Sequence, residues 1–364
     1  MTDGRCAVIG AELVCACGFG KESCIRELYA GNHAFQPINR FDTEHLPTNL
    51  AAVVPELQCG NGTSLCLPML EFLAPQVADL PESTPVLMAS TIGEIDRLYH
   101  SEGTCTLHLL LEDALKLFRK NSGRIISAAC ASTNAAIDRA RRMILSGKHE
   151  KVIVAACDLV SEFAFSGFAS LGAMTAEIPR PYDRNRSGLL LGEAAGILIL
   201  ASEKAAVHHE ASAWIAGSGM SGDALHITAP RPEGTELENA IRTALGTVPP
   251  EKIGAVIGHG TGTKYNDEME INAIRRVFVN PIPLASAKGS CGHTLGASGM
   301  IQAILAVEAL RRKSLFPQTG LETPEPGAEQ MVSRKEQHIN GNFALSLNSG
   351  FGGLNAAILL EAQS

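Results

Sequence analysis

Three segments of this sequence place reactive side chains beside small residues at the end of a predicted strand. In the first, Cys130 lies between the predicted strand Arg124–Ala128 and the predicted helix Asn134–Leu145. A thiol at the start of a helix lies near the positive end of the helix dipole, which lowers its pKa toward the nucleophilic thiolate. Cys130 is therefore a candidate nucleophile, and a small buried cysteine in a tight turn is the alternative interpretation.

The other two segments carry histidines beside glycines. His259 lies between two glycines at a predicted strand end and is followed by Thr261 and Thr263. Ligands bind at the carboxyl edge of open α/β sheets, so we expect His259 to face a cleft in which the two hydroxyl groups bind a polar ligand. In the third segment, Lys288 precedes the glycine-flanked His293 on a loop that leads into a helix. A structural histidine, a surface lysine and a capping histidine are the alternatives.

A fourth segment, Asn348–Asn355, is rich in glycine and separates two predicted C-terminal strands. Glycine gives the backbone the freedom to form a turn in which main-chain N–H groups face a ligand. The segment is therefore predicted to contribute backbone donors to the same site.

Short apolar runs and amphipathic stretches alternate along the chain and must position these segments. The predicted strands are Cys6–Val14, Pro85–Ala89, Arg124–Ala128, Lys151–Cys157, Ala194–Leu200, Ala213–Gly217, Gly254–Gly258, Pro283–Ala287, Phe343–Leu347 and Asn355–Glu361. The predicted helices are Gly20–Ala30, Leu107–Asn121, Asn134–Leu145, Thr235–Leu245, Asp267–Phe278 and Met300–Arg312. This alternation is typical of an α/β fold with largely parallel, buried sheets. The stretch Glu203–Ser212 is predicted to join two halves, whose duplication is structural because no residue-level repeat relates them.

Composition and charge exclude several classes of protein. The 364 residues are 45% hydrophobic and 19% charged, which provides a sizeable core and excludes a disordered chain. The net charge of −8 comes without a basic stripe, so no nucleic-acid partner is expected. No uncharged apolar stretch reaches about 18 residues, so no membrane span is predicted. Glu12 interrupts the apolar run near the N-terminus, which argues against a signal peptide, and we expect a cytoplasmic protein.

The ten cysteines are expected to be reduced and mostly buried. Cys15, Cys17 and Cys24 lie close together in sequence, but their spacing matches no zinc pattern. No metal site is therefore predicted.

Together and in this order, the four segments resemble the β-ketoacyl-acyl-carrier-protein synthases, specifically the elongating Cys-His-His type of the thiolase superfamily. The resemblance covers nearly the whole chain and extends through Gly147–Asp158, Arg180–Gly188, Gly192–Gly196 and Gly222–Pro230. It implies the thiolase fold, a five-layered αβαβα sandwich of two similar βαβαβ-type halves. We expect residues 1–205 to form the half with the nucleophile and residues 206–364 the half with the two histidines.

The resemblance also implies a role for each candidate residue. Cys130, His259 and His293 match the catalytic triad, Lys288 matches the site lysine, and Glu270 matches its carboxylate partner. Thr261 and Thr263 match the threonines that hold the phosphopantetheine arm. Gly350 and Phe351 lie in the turn that acts as a gate, and the backbone N–H groups of Cys130 and Phe351 match an oxyanion hole.

The activity implied is that of an acyltransferase that carries out decarboxylative condensation of a Cys130-bound acyl group with malonyl-carrier protein. Such chemistry needs no cofactor, because the substrates ride on the phosphopantetheine of an acyl carrier protein. Carrier proteins of these pathways are acidic, so Arg180, Arg184 and Arg186 are candidate contacts, with structural ion pairs as the alternative. A homodimer, or a heterodimer with a related subunit, is expected.

The sequence departs from the family pattern in a few places. The segment before Cys130 is short, and Ser349 stands where an aromatic residue is expected, so we expect a gate without a bracing ring and a broader tolerance of acyl shape. Leu354 and Ala194 replace a threonine and a glycine. The alternatives are a chain-length-factor-like partner subunit, a priming or thiolase-like enzyme, and a Cys–His hydrolase. The presence of Cys130 and both histidines favours the condensing enzyme.

Overall fold

The computed structural model describes residues 4–55, 57, 64–99, 107–207, 209 and 211–363. The strands are β1 Cys6–Cys15, β2 Gly18–Phe19, β3 Gln36–Pro37, β4 Leu50–Ala51, β5 Val86–Ala89, β6 Gly123–Ile126, β7 Lys151–Asp158, β8 Ala194–Ser202, β9 Ala213–Gly222, β10 Ile253–Ile257, β11 Leu284–Ala285, β12 Ser314–Leu315, β13 Gln337–His338, β14 Phe343–Gly350 and β15 Leu354–Ala362. The helices are α1 Lys21–Tyr29, α2 Cys66–Leu73, α3 Leu107–Phe118, α4 Ser132–Leu145, α5 Glu162–Ser170, α6 Glu203–Ala206, α7 Thr235–Leu245, α8 Lys264–Val277, α9 Lys288–Cys291 and α10 Ser298–Arg312. Within this part of the chain, no helix is long and apolar enough to cross a membrane.

Two groups of five strands repeat the same arrangement. The first group has the order β6-β5-β7-β8-β1, and the second has the order β11-β10-β14-β15-β9. Numbered along the chain within each group, both orders read third, second, fourth, fifth, first. The strand directions match as well, because β5 pairs in parallel with β6 and β7 just as β10 pairs in parallel with β11 and β14. The expectation of a structural duplication is confirmed by this repeated order.

Among the described strands, the two groups pair with each other only through β1 and β9, at the residue pairs Ala7–Trp214 and Val8–Ala213. Helices α4 and α10 lie between the two groups and contact strands of both. The outer faces are covered by α2 and α3 on the first group and by α7 and α8 on the second. The molecule therefore has five layers: helices, sheet, helices, sheet and helices.

The position of a helix in these layers follows from its sequence pattern. In α7 the buried residues recur every three or four positions, at Leu237, Ala240, Ile241 and Ala244, which suits a helix with one face to solvent. In contrast, α10 is buried continuously from Ser298 to Leu310, as a helix between two sheets must be.

The expectation of largely parallel sheets is wrong. Strands β8 and β15 run antiparallel to both of their neighbours in each group, so the sheet is mixed. Burial on both faces made their apolar runs look like parallel strands, but only three residues, Phe351–Gly353, connect β14 to β15. So short a connection permits only an antiparallel pair, because a parallel pair needs a long crossover.

Most predicted elements are present, with shifted ends. Helix α4 begins at Ser132 and α10 at Ser298, each two residues before the predicted start. Helices α2, α5, α6 and α9 were not predicted. Eight described cysteines are buried free thiols, as expected, and Cys59 and Cys105 lie outside the described residues.

Candidate active site

Cys130 lies in a tight turn between β6 and α4. The turn requires Ala129 to adopt a left-handed conformation with φ 49°, which costs free energy in a residue with a Cβ. Hydrogen bonds from Ala131 N to Ala128 O and from Ser132 N to Ala129 O hold it closed. Gly350 packs directly against the turn, since a Cβ on Gly350 would lie 3.2 Å from Ala128 O and 3.3 Å from Cys130 N.

The groups around Cys130 shift the pKa of its thiol in opposite directions. Burial raises the pKa of its thiol to about 11, and the buried carboxyl of Asp158 adds to this effect. The Lys288 ammonium and the backbone N–H groups of Phe351 and Cys130 favour the thiolate and lower the pKa. These two N–H groups are the donors that the sequence analysis expected at an oxyanion hole.

His259 follows β10, and both its backbone and its ring form hydrogen bonds within the site. Its Nδ1 faces two donors, Lys288 Nζ at 3.3 Å and Asn348 Nδ2 at 3.3 Å. Because both neighbours donate, Nδ1 accepts, and the ring proton belongs on Nε2. Burial, the Lys288 charge and His293 hold the pKa of His259 well below its usual value.

His293 has the same protonation pattern, set by different partners. Leu295 N donates to its Nδ1 at 3.1 Å, and Ser298 Oγ lies 3.1 Å from the same atom. Burial and Lys288 lower the pKa of His293, so both imidazoles are neutral and carry their proton on Nε2. The two ring centroids are 5.3 Å apart, which places two neutral N–H donors side by side.

In the described part of the chain, Lys288 and Glu270 each contact His259 but form no hydrogen bond or ion pair with each other. Lys288 Nζ donates to the carbonyl oxygen of His259, and burial lowers the pKa of the lysine to about 8. Glu270 accepts hydrogen bonds from His259 N at 2.6 Å, Gly260 N at 2.8 Å and Tyr182 OH at 2.9 Å. Burial raises the pKa of Glu270 to about 7. The carboxylate thus fixes the main chain of His259 instead of forming a direct ion pair with Lys288.

A cavity of about 300 Å³ brings the predicted residues together. Its lining includes Cys130, His259, His293, Thr261, Thr263, Gly350 and Phe351. The two threonine hydroxyls are 2.8 Å apart and lie toward the entrance, beside the exposed side chains of Tyr265 and Leu171. Apolar walls and a few polar groups around a thiol fit a flexible thioester arm better than a charged metabolite.

The turn around Phe351 differs from expectation in one respect. The Phe351 ring stacks on Phe168 of α5, with ring centroids 5.5 Å apart. The expectation of a ring with no second aromatic to brace it is therefore wrong, because the brace comes from a distant segment and not from position 349. Ser349 instead donates to Asn355 Oδ1 at 2.8 Å.

The three arginines of the segment Arg180–Arg186 have different environments. Arg186 is buried, forms ion pairs with Glu325 and Asp267, and donates to the carbonyl oxygens of Thr263 and Lys264. Arg180 forms an ion pair with Glu322 at 2.8 Å, whereas Arg184 is exposed. Arg186 therefore holds the loop together and is not available to a docking partner.

Four further residues support the site and were not singled out from the sequence. Asp158 accepts from Thr91 N and Gly296 N, which ties the first strand group to the segment after His293. Asn348, Tyr182 and Phe168 contact His259, Glu270 and Phe351 respectively. These residues were hard to recognise from the sequence, because each acts only through contacts with residues far away in the chain.

The site combines a buried thiol, two neutral imidazoles and backbone N–H donors in one mostly apolar cavity. Such a set can form a thioester on Cys130 and stabilise an oxyanion or enolate. Among the described residues, no group of three or more His, Cys, Asp or Glu side chains is arranged to hold a metal ion.

Comparison with known proteins decides the family. The family model described as "Beta-ketoacyl synthase, N-terminal domain" matches residues 124–206, and the one described as "Beta-ketoacyl synthase, C-terminal domain" matches residues 212–322. The chain belongs to the β-ketoacyl synthase family. The predicted family is thereby confirmed.

Individual β-ketoacyl synthases support the same assignment. The 3-oxoacyl-[acyl-carrier-protein] synthase 2 of Synechocystis sp. is 33% identical over 263 residues, which are 68% of this chain and 63% of that protein. The corresponding Staphylococcus aureus protein is 30% identical, and the match covers 61% of its length. The chain thus matches about three fifths of the length of these curated relatives.

Solved structures of ketosynthases extend the likeness to the whole chain. The ishigamide ketosynthase/chain length factor has a TM-score of 0.91 and 26% identity, and the match covers 99% of this chain and 100% of that one. A β-ketoacyl synthase from Burkholderia phymatum has a TM-score of 0.88 and 25% identity, over 99% of this chain and 100% of that one. The predicted α/β thiolase fold is confirmed.

Proposed function

We propose that this chain catalyses decarboxylative condensation of an acyl group on Cys130 with a malonyl group on an acyl carrier protein, giving a β-ketoacyl-carrier protein. The observation that carries the proposal is the pair of neutral, Nε2-protonated histidines beside a buried cysteine. Two neutral donors suit a step in which negative charge develops on a thioester oxygen. A Cys–His hydrolase would instead need a histidine with a free acceptor nitrogen facing the thiol.

In the first half-reaction, the Cys130 thiolate attacks the carbonyl carbon of the incoming acyl thioester. The N–H groups of Cys130 and Phe351 stabilise the oxyanion of the tetrahedral intermediate. The carbon–sulfur bond to the pantetheine breaks, the pantetheine sulfur takes up the proton that the Cys130 thiol has lost, and the acyl group remains on Cys130 as a thioester.

In the second half-reaction, the malonyl thioester loses carbon dioxide, and its electron pair becomes an enolate. His259 and His293 donate to the enolate oxygen through their Nε2–H groups. The enolate carbon attacks the acyl carbonyl, and the Cys130 thiolate leaves. Lys288 and Glu270 hold His259 in place, and Thr261 and Thr263 hydrogen-bond the pantetheine arm.

We further propose the partners of this reaction. An acidic carrier protein docks at the entrance through Arg180 and Arg184 and through the exposed apolar surfaces of Leu171 and Tyr265. Strand β6 lies at an edge of the described sheet, and pairing along it with a second synthase subunit, identical or related, is the assembly proposed. The free thiols fit a cytoplasmic location, and residues 1–205 and 206–364 are proposed as the two halves.

The test is intact-mass analysis of carrier proteins after incubation of the purified protein with malonyl-carrier protein and a panel of acyl primers. A carrier-bound product that is longer than the primer by two carbons and contains a β-keto group is expected. Cys130→Ala is the matched control and should give no product. If the protein alone gives none but does so with a related subunit, it is one half of a heterodimeric synthase. If it serves only as the partner of another subunit's cysteine, Cys130→Ala will leave that activity intact and contradict the proposal.

A further inference from the structure

Two buried asparagine amides face each other across the middle helical layer, next to His259. Asn134 belongs to α4, the helix that starts beside the nucleophile, and Asn348 belongs to β14. Both side chains are fully buried. Their oxygens, Asn134 Oδ1 and Asn348 Oδ1, have no hydrogen-bond partner in the described part of the chain.

The two oxygens converge on the same place. A Cβ built on Gly299 would lie 2.6 Å from Asn134 Oδ1 and 3.0 Å from Asn348 Oδ1. The oxygens are therefore no further apart than the sum of those two distances. Glycine is required at position 299 because any side chain there would collide with both amides.

Neither amide can turn over to donate to the other. Asn134 Nδ2 donates to the carbonyl oxygen of Ser346 at 3.2 Å, and a flipped amide would set two acceptors against each other there. Asn348 Nδ2 lies 3.3 Å from His259 Nδ1, which also faces the Lys288 ammonium and must accept. The orientation of each amide is thus fixed by the partner of its nitrogen, and the two acceptor oxygens remain facing each other.

A buried amide oxygen without a donor destabilises the fold, because its contact with water is lost without compensation. One water molecule removes this penalty for both oxygens, since it donates one proton to each. Ser346 Oγ is a third buried polar atom without a partner among the described residues, and it lies two residues from Asn348 on the same face of β14. The two amide oxygens alone give the water two polar partners, within the range of two to four found for buried waters.

We propose that a single buried water molecule bridges Asn134 Oδ1 and Asn348 Oδ1, and that Asn134 and Asn348 are positioning residues that keep His259 Nδ1 an acceptor. The role of this tautomer rests on the proposed function, whereas the water site does not. The bridge links the helix that carries the nucleophile to the strand that supports the histidine. The Nε2 proton of His259 thus stays directed at the cavity.

The water site is tested first by a high-resolution crystal structure of the unmodified protein. A density peak within hydrogen-bond distance of both oxygens is expected. A cavity without a peak, an Asn348 amide turned so that Oδ1 faces His259, or an anomalous peak in crystals soaked in rubidium chloride would overturn the proposal. The last result would make this a monovalent cation site.

The positioning role is tested with Asn348→Leu and Asn348→Asp. We expect each to lower condensation about 10-fold to 100-fold, the range found when partners that orient metal-bound histidines are removed. Acylation of Cys130 should remain close to that of the unmodified protein. Gln337→Leu is the matched control, because it removes another amide with a buried, unpartnered atom, remote from the site, and should keep full activity.

The tautomer of His259 can be measured directly, and general destabilisation of the fold does not change it. In protein labelled with ¹⁵N-histidine, the Nδ1 signal of His259 should be that of an unprotonated nitrogen, and in Asn348→Asp it should become protonated. Full condensation activity in Asn348→Leu, or the same tautomer in Asn348→Asp, would refute the positioning role. If neither the unmodified protein nor any variant catalyses condensation, the proposed function fails. The electron density and the ¹⁵N signal still test the water site and the tautomer in that case.

Discussion

The two five-strand groups share one topology but contribute different chemistry to the site. In the first group, the third strand, β6, leads into the turn with Cys130, and in the second group the corresponding strand, β11, leads to Lys288 and His293. His259 lies just after the second strand, β10, whereas Ser90 lies just after its counterpart β5 and donates to Asp158. In the proposed reaction, the first group therefore supplies the nucleophile, and the second supplies the donors.

This difference shows how one topology can bring two different sets of functional groups to one cavity. The strand ends of both groups meet at the middle layer, so each group needs to place only part of the site. Contacts between the two groups align these two parts of the site. Asp158 of the first group holds Gly296 N of the second, and Gly350 of the second packs on the turn of Cys130.

The largest effect should come from the first group. Replacement of Cys130 by Ala should abolish acylation and reduce condensation on the order of 10³-fold or more, because no other thiol lines the described cavity. Trapping of the acyl-enzyme by mass spectrometry measures this. Cys291→Ala, a buried thiol near the site but outside the cavity, is the control. Acylation that persists on another cysteine would break the assignment of the nucleophile to the first group.

Loss of a donor from the second group should separate the two half-reactions. His259→Ala and His293→Ala are each expected to lower condensation on the order of 10²–10³-fold while Cys130 still accepts an acyl group. Rapid-quench measurement of acylation and of malonyl decarboxylation distinguishes the steps. His45→Ala, at an exposed site, is the control. Equal loss of both half-reactions would show that the two groups do not divide the work in this way.

The pH dependence of alkylation sharpens the comparison, because Lys288 of the second group acts on the thiol of the first. Burial raises the pKa of Cys130 to about 11, so the thiolate fraction should grow about tenfold per pH unit between about pH 7 and pH 9. Iodoacetamide labelling, followed by peptide mass analysis, measures the rate. In Lys288→Met the rate should fall most near pH 7, where the lysine is protonated and favours the thiolate, and the difference should shrink above about pH 8, because the lysine loses its charge there. Lys335→Met should have no effect at any pH. A rate that levels off below pH 8 would contradict the raised pKa.

The smallest effect concerns the contact between Phe168 and Phe351. Phe168→Ala removes the ring that braces the turn, and we expect a change of several-fold in the relative acylation of Cys130 by straight, branched and unsaturated primers. Phe163→Ala, which removes an exposed ring from the same helix, is the control. An unchanged primer profile would show that the stacked pair only fills the core.

Much of the fold and the composition of the site could be predicted because local patterns specified them. The strand that precedes Cys130 and the glycines around His259 and His293 are visible in the sequence itself. The direction of β8 and β15 was missed, because an apolar run buried on both faces looks the same in either direction. The brace by Phe168, and the contact of Glu270 with the His259 backbone, depend on residues far apart in the chain. No local pattern encodes such pairings.

The register between β1 and β8 has a consequence for how the chain assembles during synthesis. Cys6 pairs with Ser202, and Cys15 pairs with Ala194, so the first strand has no lasting partner on one side until β8 has left the ribosome. Domains form as units while the chain emerges, and unpaired apolar strands are prone to aggregation in the meantime. Non-local pairing of this kind also slows folding, because a long loop must close before the pair forms. The emerging chain therefore keeps one edge of β1 unpaired until residue 202 has cleared the exit tunnel, and the other edge, at Ala7 and Val8, until Trp214 has done so.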